Sequence, residues 1–256
     1  MIQMVSDPSP GGSFIRAATE DRSASCFQLE LLGGFQLQSS TERVELPLPS
    51  QRLLAVLALN DKPMPRSQVA GILWPDVSEE RARGNLRSVI WRLGSAQALT
   101  DGRARISLRA DVEVDVRRAL RVARQVIAEE EPLAPSALYP LMDSGVLLPN
   151  WSEDWVLFER ERFNQLRLLA LEHLGRQLLR RGRLPEATAA ALAAVETEPL
   201  HDGAQQLLLE CHLAQGNRAL ATRHFDAYAA MLKRELGLEP AEGMKEMIAF
   251  PLARGC

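Results

Sequence analysis

The chain has 256 residues, 46% apolar and 25% charged, which is enough for two ordinary soluble domains with their own cores. Its net charge of −3 excludes a protein that coats nucleic acid through overall charge, because an acidic surface repels phosphate; a nucleic-acid site has to be a local basic patch. Cys26, Cys211 and Cys256 have no spacing that suggests a disulfide framework or zinc, and the absence of an apolar run of about eighteen residues argues against a membrane span, so a reducing, cytoplasmic location is expected.

Residues 1–25, with Ser-Asp-Pro-Ser-Pro-Gly-Gly-Ser at positions 6–13, carry too few periodic apolar residues to offset ordering entropy and are expected to form a disordered tail. From Cys26 the pattern alternates. Phe27, Leu29 and Leu31, then Phe35 and Leu37 after Gly33-Gly34, then Val44, Leu46 and Leu48 predict a short antiparallel meander. The period then lengthens. Leu53, Leu54, Leu57 and Ala58 predict a helix ended by Asn60-Asp61, and Val69, Ile72 and Leu73 a second one stopped before Pro75. A third helix opens after Asp76, capped by Asp76 or Ser78 and favoured by Glu79 and Glu80 at its positive end, with Ala82, Leu86, Val89, Ile90 and Leu93 as its apolar stripe. Asp101-Gly102 between Leu99 and the alternating Ile106 and Leu108 predicts a closing hairpin. Strands, three helices and a hairpin make an α+β winged helix-turn-helix domain over residues 26–115.

Every long segment beyond Asp115 has helical period. Val116, Ala119, Leu120, Ala123, Val126 and Ile127 form one stripe, and Val156, Phe163, Leu166, Ala170, Leu174 and Leu178 another, separated by a Pro-rich break at 132–149. Residues 170–187 laid over 204–221 pair Ala170 with Ala204, Leu174 with Leu208, Leu179 with Leu213, Gly182 with Gly216 and Ala187 with Ala221. This offset of 34 is that of tetratricopeptide repeats. Residues 116–249 are therefore expected to form an all-α, tetratricopeptide-like helical domain, with a tail at 250–256.

Residues 51–110 hold ten Lys/Arg against five Asp/Glu, a basic patch on an acidic chain. Stepping 100° per residue along the third helix places Arg81, Gly84, Arg87, Ser88, Trp91 and Arg92 opposite the apolar stripe, with Arg83 and Asn85 flanking it. Arginines for guanine edges and phosphates, a serine for phosphate and a glycine that permits close approach suit a helix that enters the major groove. Arg103, Arg105 and Arg109 give the hairpin a wing that reaches the adjacent backbone or minor groove. The candidate DNA-binding residues are thus Arg81, Arg83, Arg87, Ser88, Trp91, Arg92, Arg103 and Arg105.

These residues also carry a resemblance. Phe27 to Phe35, Ile72-Leu73-Trp74-Pro75-Asp76, Ala82-Arg83 through Leu86 to Trp91-Arg92-Leu93, and Val114-Asp115 resemble the OmpR-type winged helix of the antibiotic-regulatory activators, the SARP family. Leu147-Leu148-Pro149, Glu153-Asp154-Trp155-Val156, Glu159-Arg160-Glu161-Arg162, Glu198-Pro199-Leu200 and Glu235-Leu236-Gly237-Leu238-Glu239-Pro240 resemble its bacterial transcriptional activator domain (BTAD). The resemblance implies a transcriptional activator that binds double-stranded promoter DNA, contacts RNA polymerase and assembles on DNA as a homodimer or head to tail. Two positions depart from the family pattern: Gly94 follows Arg92-Leu93 where a further arginine is common, and Trp91 stands where a small polar residue is usual.

No catalytic set, metal spacing or Gly-rich phosphate loop is legible, so no enzyme and no cofactor are expected. His173, His201, His212 and His224 lack paired metal spacing, and Trp151 with Trp155 suggests domain packing. The alternative to a DNA-binding regulator is a tetratricopeptide-type, protein-binding adaptor whose winged helix no longer reads DNA.

Overall fold

The structure is a computed structural model that describes residues 27–39, 42–93, 100–101, 104–128, 135–142 and 144–249. Strand β1 (Gln28–Glu30) pairs antiparallel with β2 (Gln36–Gln38), Leu29 facing Leu37. Both leucines are buried between exposed neighbours, the period-two pattern of a half-buried sheet. The turn between them uses Gly33 and Gly34, whose φ values are +84° and +141°, a region that residues with a Cβ adopt only at a cost. Only the isolated bridge between Gln38 and Arg43 extends the meander, and Leu48 is already helical. The third strand expected over Val44 to Leu48 is replaced by an extended segment that leads to Pro47 and Pro49, which favour a helix start.

Helix α1 (Leu48–Leu59) buries Leu53 through Ala58 without interruption, so it is a core helix with protein on all sides of its centre. Asn60 ends it, its side-chain amide donating to the Val56 carbonyl at 2.8 Å. Strand β3 (Met64–Pro65), α2 (Arg66–Leu73) and α3 (Glu79–Arg92) follow, then β4 (Thr100–Asp101) and β5 (Arg105–Leu108). Strand β5 lies antiparallel between β3 and β4, which makes the expected hairpin the edge of a three-stranded sheet. Ser78 occupies the N-cap of α3, but its side chain makes no capping hydrogen bond; the helix start relies on Glu79 and Glu80 against the dipole. Strand β6 (Glu113–Val114) returns to pair parallel with β1.

The remaining elements of the described residues are helices: α4 (Asp115–Ala128), α5 (Pro135–Met142), α6 (Asp154–Arg180), α7 (Leu184–Thr197), α8 (Asp202–Ala214), α9 (Arg218–Leu236) and α10 (Glu242–Ala249). Small sheets and three short helices followed by helices alone are consistent with a winged helix and then a helical domain. The Pro-rich break at 132–149 contains a helix, α5, with Pro140 inside it. Helix α6 is 27 residues, or about 40 Å, long. Five alanines of α7 are buried, as are Ala170 and Ala204, and a Cβ on Gly175 of α6 would lie 2.5 Å from the Leu207 side chain of α8. Small residues at these crossings let the backbones approach.

Among the described residues, three apolar clusters form the core. The first joins the sheet residues Leu29, Leu31 and Leu37 and helices α1 to α3 to Val116, Ala119, Leu147, Leu148, Val156 and Phe163, so it runs across Asp115 into the helical half. The second links α4 and α5 to α6, α7 and α8, and the third links α8, α9 and α10.

Candidate nucleic-acid interface

Helix α3 turns Ala82, Leu86, Val89 and Ile90 inward, and Leu93 beyond it is buried too. Arg81, Arg83, Arg87, Ser88, Trp91 and Arg92 are all exposed. Trp91 is 80% exposed, so its indole stands largely open to solvent. Arg83 is held by Glu79 one turn earlier, at 2.5 Å. Arg81, Arg87 and Arg92 face no carboxylate partner among the described residues. The Ser88 hydroxyl donates back to the Gly84 carbonyl at 3.1 Å, an exposed bond that water or phosphate can replace. A Cβ on Gly84 would meet only the Arg87 guanidinium, at 3.7 Å, so this glycine keeps the outer face of α3 open without serving any contact inside the chain.

Arg105 is less available than its position in the hairpin suggests. Its Nε donates to the Pro63 carbonyl at 2.9 Å, and a second nitrogen donates to the same oxygen, tying β5 to the turn before β3. Arg109 forms a two-pronged pair with Asp111, at 3.0 and 2.7 Å, and this guanidinium holds the Asp111 carboxyl below the ordinary carboxylate range. Arg103 and Gly94 lie outside the described residues.

The fold adds residues that helical stepping along α3 cannot find. Arg66 and Ser67 open α2 and, with Arg83, Leu86, Arg87 and Ala104, line a groove of about 310 Å³ between α2, α3 and the hairpin. Three arginines thus surround one cleft beside a helix N-terminus, where backbone N–H groups and the dipole favour anions. The signal in the sequence is Pro65 directly before Arg66-Ser67, a helix start with a basic first turn.

This basic face is fixed to the helical half by buried polar contacts. The Asp115 carboxylate accepts from the backbone N–H of Leu31 at 3.0 Å, of Leu32 at 2.9 Å and of Val116 at 2.6 Å. Burial nevertheless pushes its pKa above the ordinary carboxylate value. Arg117 donates to the carbonyls of Ala58 at 2.7 Å, Leu57 at 2.9 Å and Asn60 at 2.9 Å, satisfying the end of α1 from α4. The Leu148 N–H donates to Leu31 and the Gly33 N–H to Val146, at 2.9 and 2.8 Å, and Arg52 of α1 pairs with Glu153 before α6. Phe35 stacks on Trp151, with centroids 6.3 Å apart, and Trp151 meets Trp155 edge-on at 6.2 Å. The two tryptophans are a packing cluster.

Among the described residues no group of three or more His, Cys, Asp or Glu side chains could hold a metal ion, and no helix is long and apolar enough to cross a membrane.

Residues 114–249 match the family model of the bacterial transcriptional activator domain, over more than half of the chain. The chain belongs to this family. The half of the resemblance that concerns the bacterial transcriptional activator domain is thereby shown. Its fold is similar to that of Mycobacterium tuberculosis EmbR, solved in complex with a low-affinity phosphopeptide, with a TM-score of 0.68 and 18% identity over 88% of this chain and 64% of that one. This chain therefore spans less than two thirds of the length of that EmbR chain. No curated protein sequence matches it.

Proposed function

We propose that this BTAD protein is a sequence-specific DNA-binding activator, with a winged helix over residues 26–115 and a tetratricopeptide-like helical domain over 116–249. The observation that carries the proposal is the outer face of α3, where Arg81, Arg87 and Arg92 are exposed without carboxylate partners among the described residues, beside the Arg66-Ser67 cleft. Helix α3 enters the major groove, Arg87 and Arg92 meet phosphates or base edges, and the hairpin with Arg103 touches the adjacent backbone. Arg105 acts mainly by positioning the hairpin. The tetratricopeptide-like reading is supported by Gly182 and Gly216, 34 residues apart with φ values of +71° and +73°, which follow the alternate helices α6 and α8 in the same way.

The protein works in the cytoplasm without catalytic chemistry, on promoter repeats, as a homodimer or head to tail, and contacts RNA polymerase. Docked halves restrict the distance between neighbouring recognition helices to about 10–10.5 base pairs or a multiple. The test is binding to promoter DNA over a series of salt concentrations. Arg87→Ala and Arg92→Ala each weaken binding and flatten the slope of log affinity against log salt by about 0.9 per lost phosphate contact. Unchanged slopes in both variants overturn the phosphate role. A folded wild-type chain without DNA affinity at low salt returns the protein-binding adaptor.

A further inference from the structure

A second cavity lies away from the basic face, where both halves of the molecule contribute walls. It has a volume of about 640 Å³ and is bounded by the end of α1, the first turns of α4, one side of α6 and His201 before α8. That is the size of a small-molecule site, ~300–1,000 Å³. On α6 its lining runs from Glu159 to Glu172, about 20 Å of helix, so the groove is long and narrow. Leu59, Leu120, Phe163, Leu166 and Leu169 make its apolar floor and rim. Leu169 is 55% exposed, an apolar side chain standing at the mouth.

The charges along this groove do not cancel in a uniform way. Asp61 pairs with Arg117 at 3.6 Å and Glu159 with Arg162 at 3.4 Å. Glu172 is only 8% exposed and gives one oxygen to Arg176 and the other to His201 Nδ1, each at 2.8 Å. A Cβ on Gly203 would lie 2.8 Å from both of those oxygens, so the glycine makes room for this carboxylate. Every acid of the lining thus has a cation. Arg124, exposed on the α4 wall, has no carboxylate partner among the described residues.

We propose that this groove binds an elongated, mainly apolar small molecule with one anionic group, of the chemistry of a long-chain carboxylic acid. Its tail lies on Leu59, Leu120, Phe163, Leu166 and Leu169, and its anion meets the Arg124 guanidinium. Because the walls come from α1 on one side and from α4 and α6 on the other, the ligand touches both halves at once. It stabilises their docked arrangement by mass action. The site is independent of nucleic-acid binding, which uses the opposite chemistry of exposed arginines without an apolar floor.

The experiment uses the full chain and two probes, the anionic dye 8-anilinonaphthalene-1-sulfonate and sodium dodecanoate. Dye fluorescence is expected to titrate to one site per chain and to be displaced by dodecanoate, and dodecanoate is expected to raise the melting temperature. Dodecylamine, with the same tail and a positive charge, does not displace the dye. Arg124→Glu and Leu169→Glu, both at exposed positions, each weaken the two probes by about tenfold or more. Leu192→Glu, an equally exposed leucine of α7 outside the groove, binds like wild type. The proposal is overturned by non-saturable dye binding, by displacement with dodecylamine as readily as with dodecanoate, or by unchanged affinity in Arg124→Glu and Leu169→Glu variants that keep the wild-type circular dichroism and melting transition.

Discussion

Arg117 shows how one side chain carries a tertiary function that no local pattern announces. Its guanidinium answers three carbonyls at the end of α1, groups that no other turn of helix can satisfy. Arg117→Ala leaves them partly buried without donors, so an expected loss of about 2–3 kcal/mol in urea unfolding follows. Arg117→Lys recovers little of it, because an ammonium cannot reproduce the planar fork. The second residue-scale prediction concerns His212 and His224, whose rings stack edge-on 5.7 Å apart. Burial lowers both pKa values from 6.5, and mutual repulsion adds to the effect on His224. His212 Nδ1 and His224 Nε2 have no hydrogen-bond partner among the described residues. The folded state therefore keeps these rings neutral while the unfolded chain takes up protons below its own pKa of 6.5. Their contribution is intact above that pH and is lost as the pH falls through the window between the unfolded and the lowered folded values. Urea midpoints are expected to fall between about pH 7.5 and pH 5.5, and the fall is smaller in a His212→Leu, His224→Leu double variant. An equal fall in both proteins argues against the pair.

At the scale of elements, Gly182 and Gly216 end α6 and α8 with φ values of +71° and +73°, and an added Cβ would touch nothing within 4 Å at either site. Gly182→Ala and Gly216→Ala are thus expected to cost about 1–2 kcal/mol each through backbone strain alone, with similar values in denaturant unfolding. A large difference between them would show that the two turns are not equivalent. Helices with strong period were legible from side-chain pattern: the five stripe residues assigned to α3 are the ones that are buried. What escaped was short or long-range. Pro140 reads as a breaker, yet it lies within α5, whose Leu138 and Leu141 are buried in the second apolar cluster. The two residues of β6 are too few for alternation to register, and their partner is Gln28-Leu29, far away in the chain. Ser78 stands at the expected cap without making the bond, since the side-chain geometry of a cap is not a property of residue type. The α3 face of the candidate interface was legible for the same reason as the stripe, whereas Arg66 and Ser67 join it only because β3 and β5 bring α2 beside α3.

For the whole molecule, length and composition allow two domains with their own cores, and β6 leads straight into α4 at Asp115. The first apolar cluster instead takes Val116, Ala119, Leu147, Leu148, Val156 and Phe163 from beyond Asp115. A fragment of residues 26–115 loses these partners and is expected to melt well below the full chain or without a cooperative transition, measured by circular dichroism. A fragment with a full-length melting temperature would mean that the halves are energetically separate. The parallel pairing of β1 with β6 also sets an order of events in time. Leu31 waits for a carboxylate 84 residues later, and Leu32 pairs with Leu147. A ribosome that delivers the chain from its N-terminus exposes β1, β2 and α3 before their closing partners exist. The basic face therefore reaches its final form only after the segment through Val156 and Phe163 has emerged. Nascent chains stalled before that point offer apolar strand surface to chaperones, while those stalled beyond it do not.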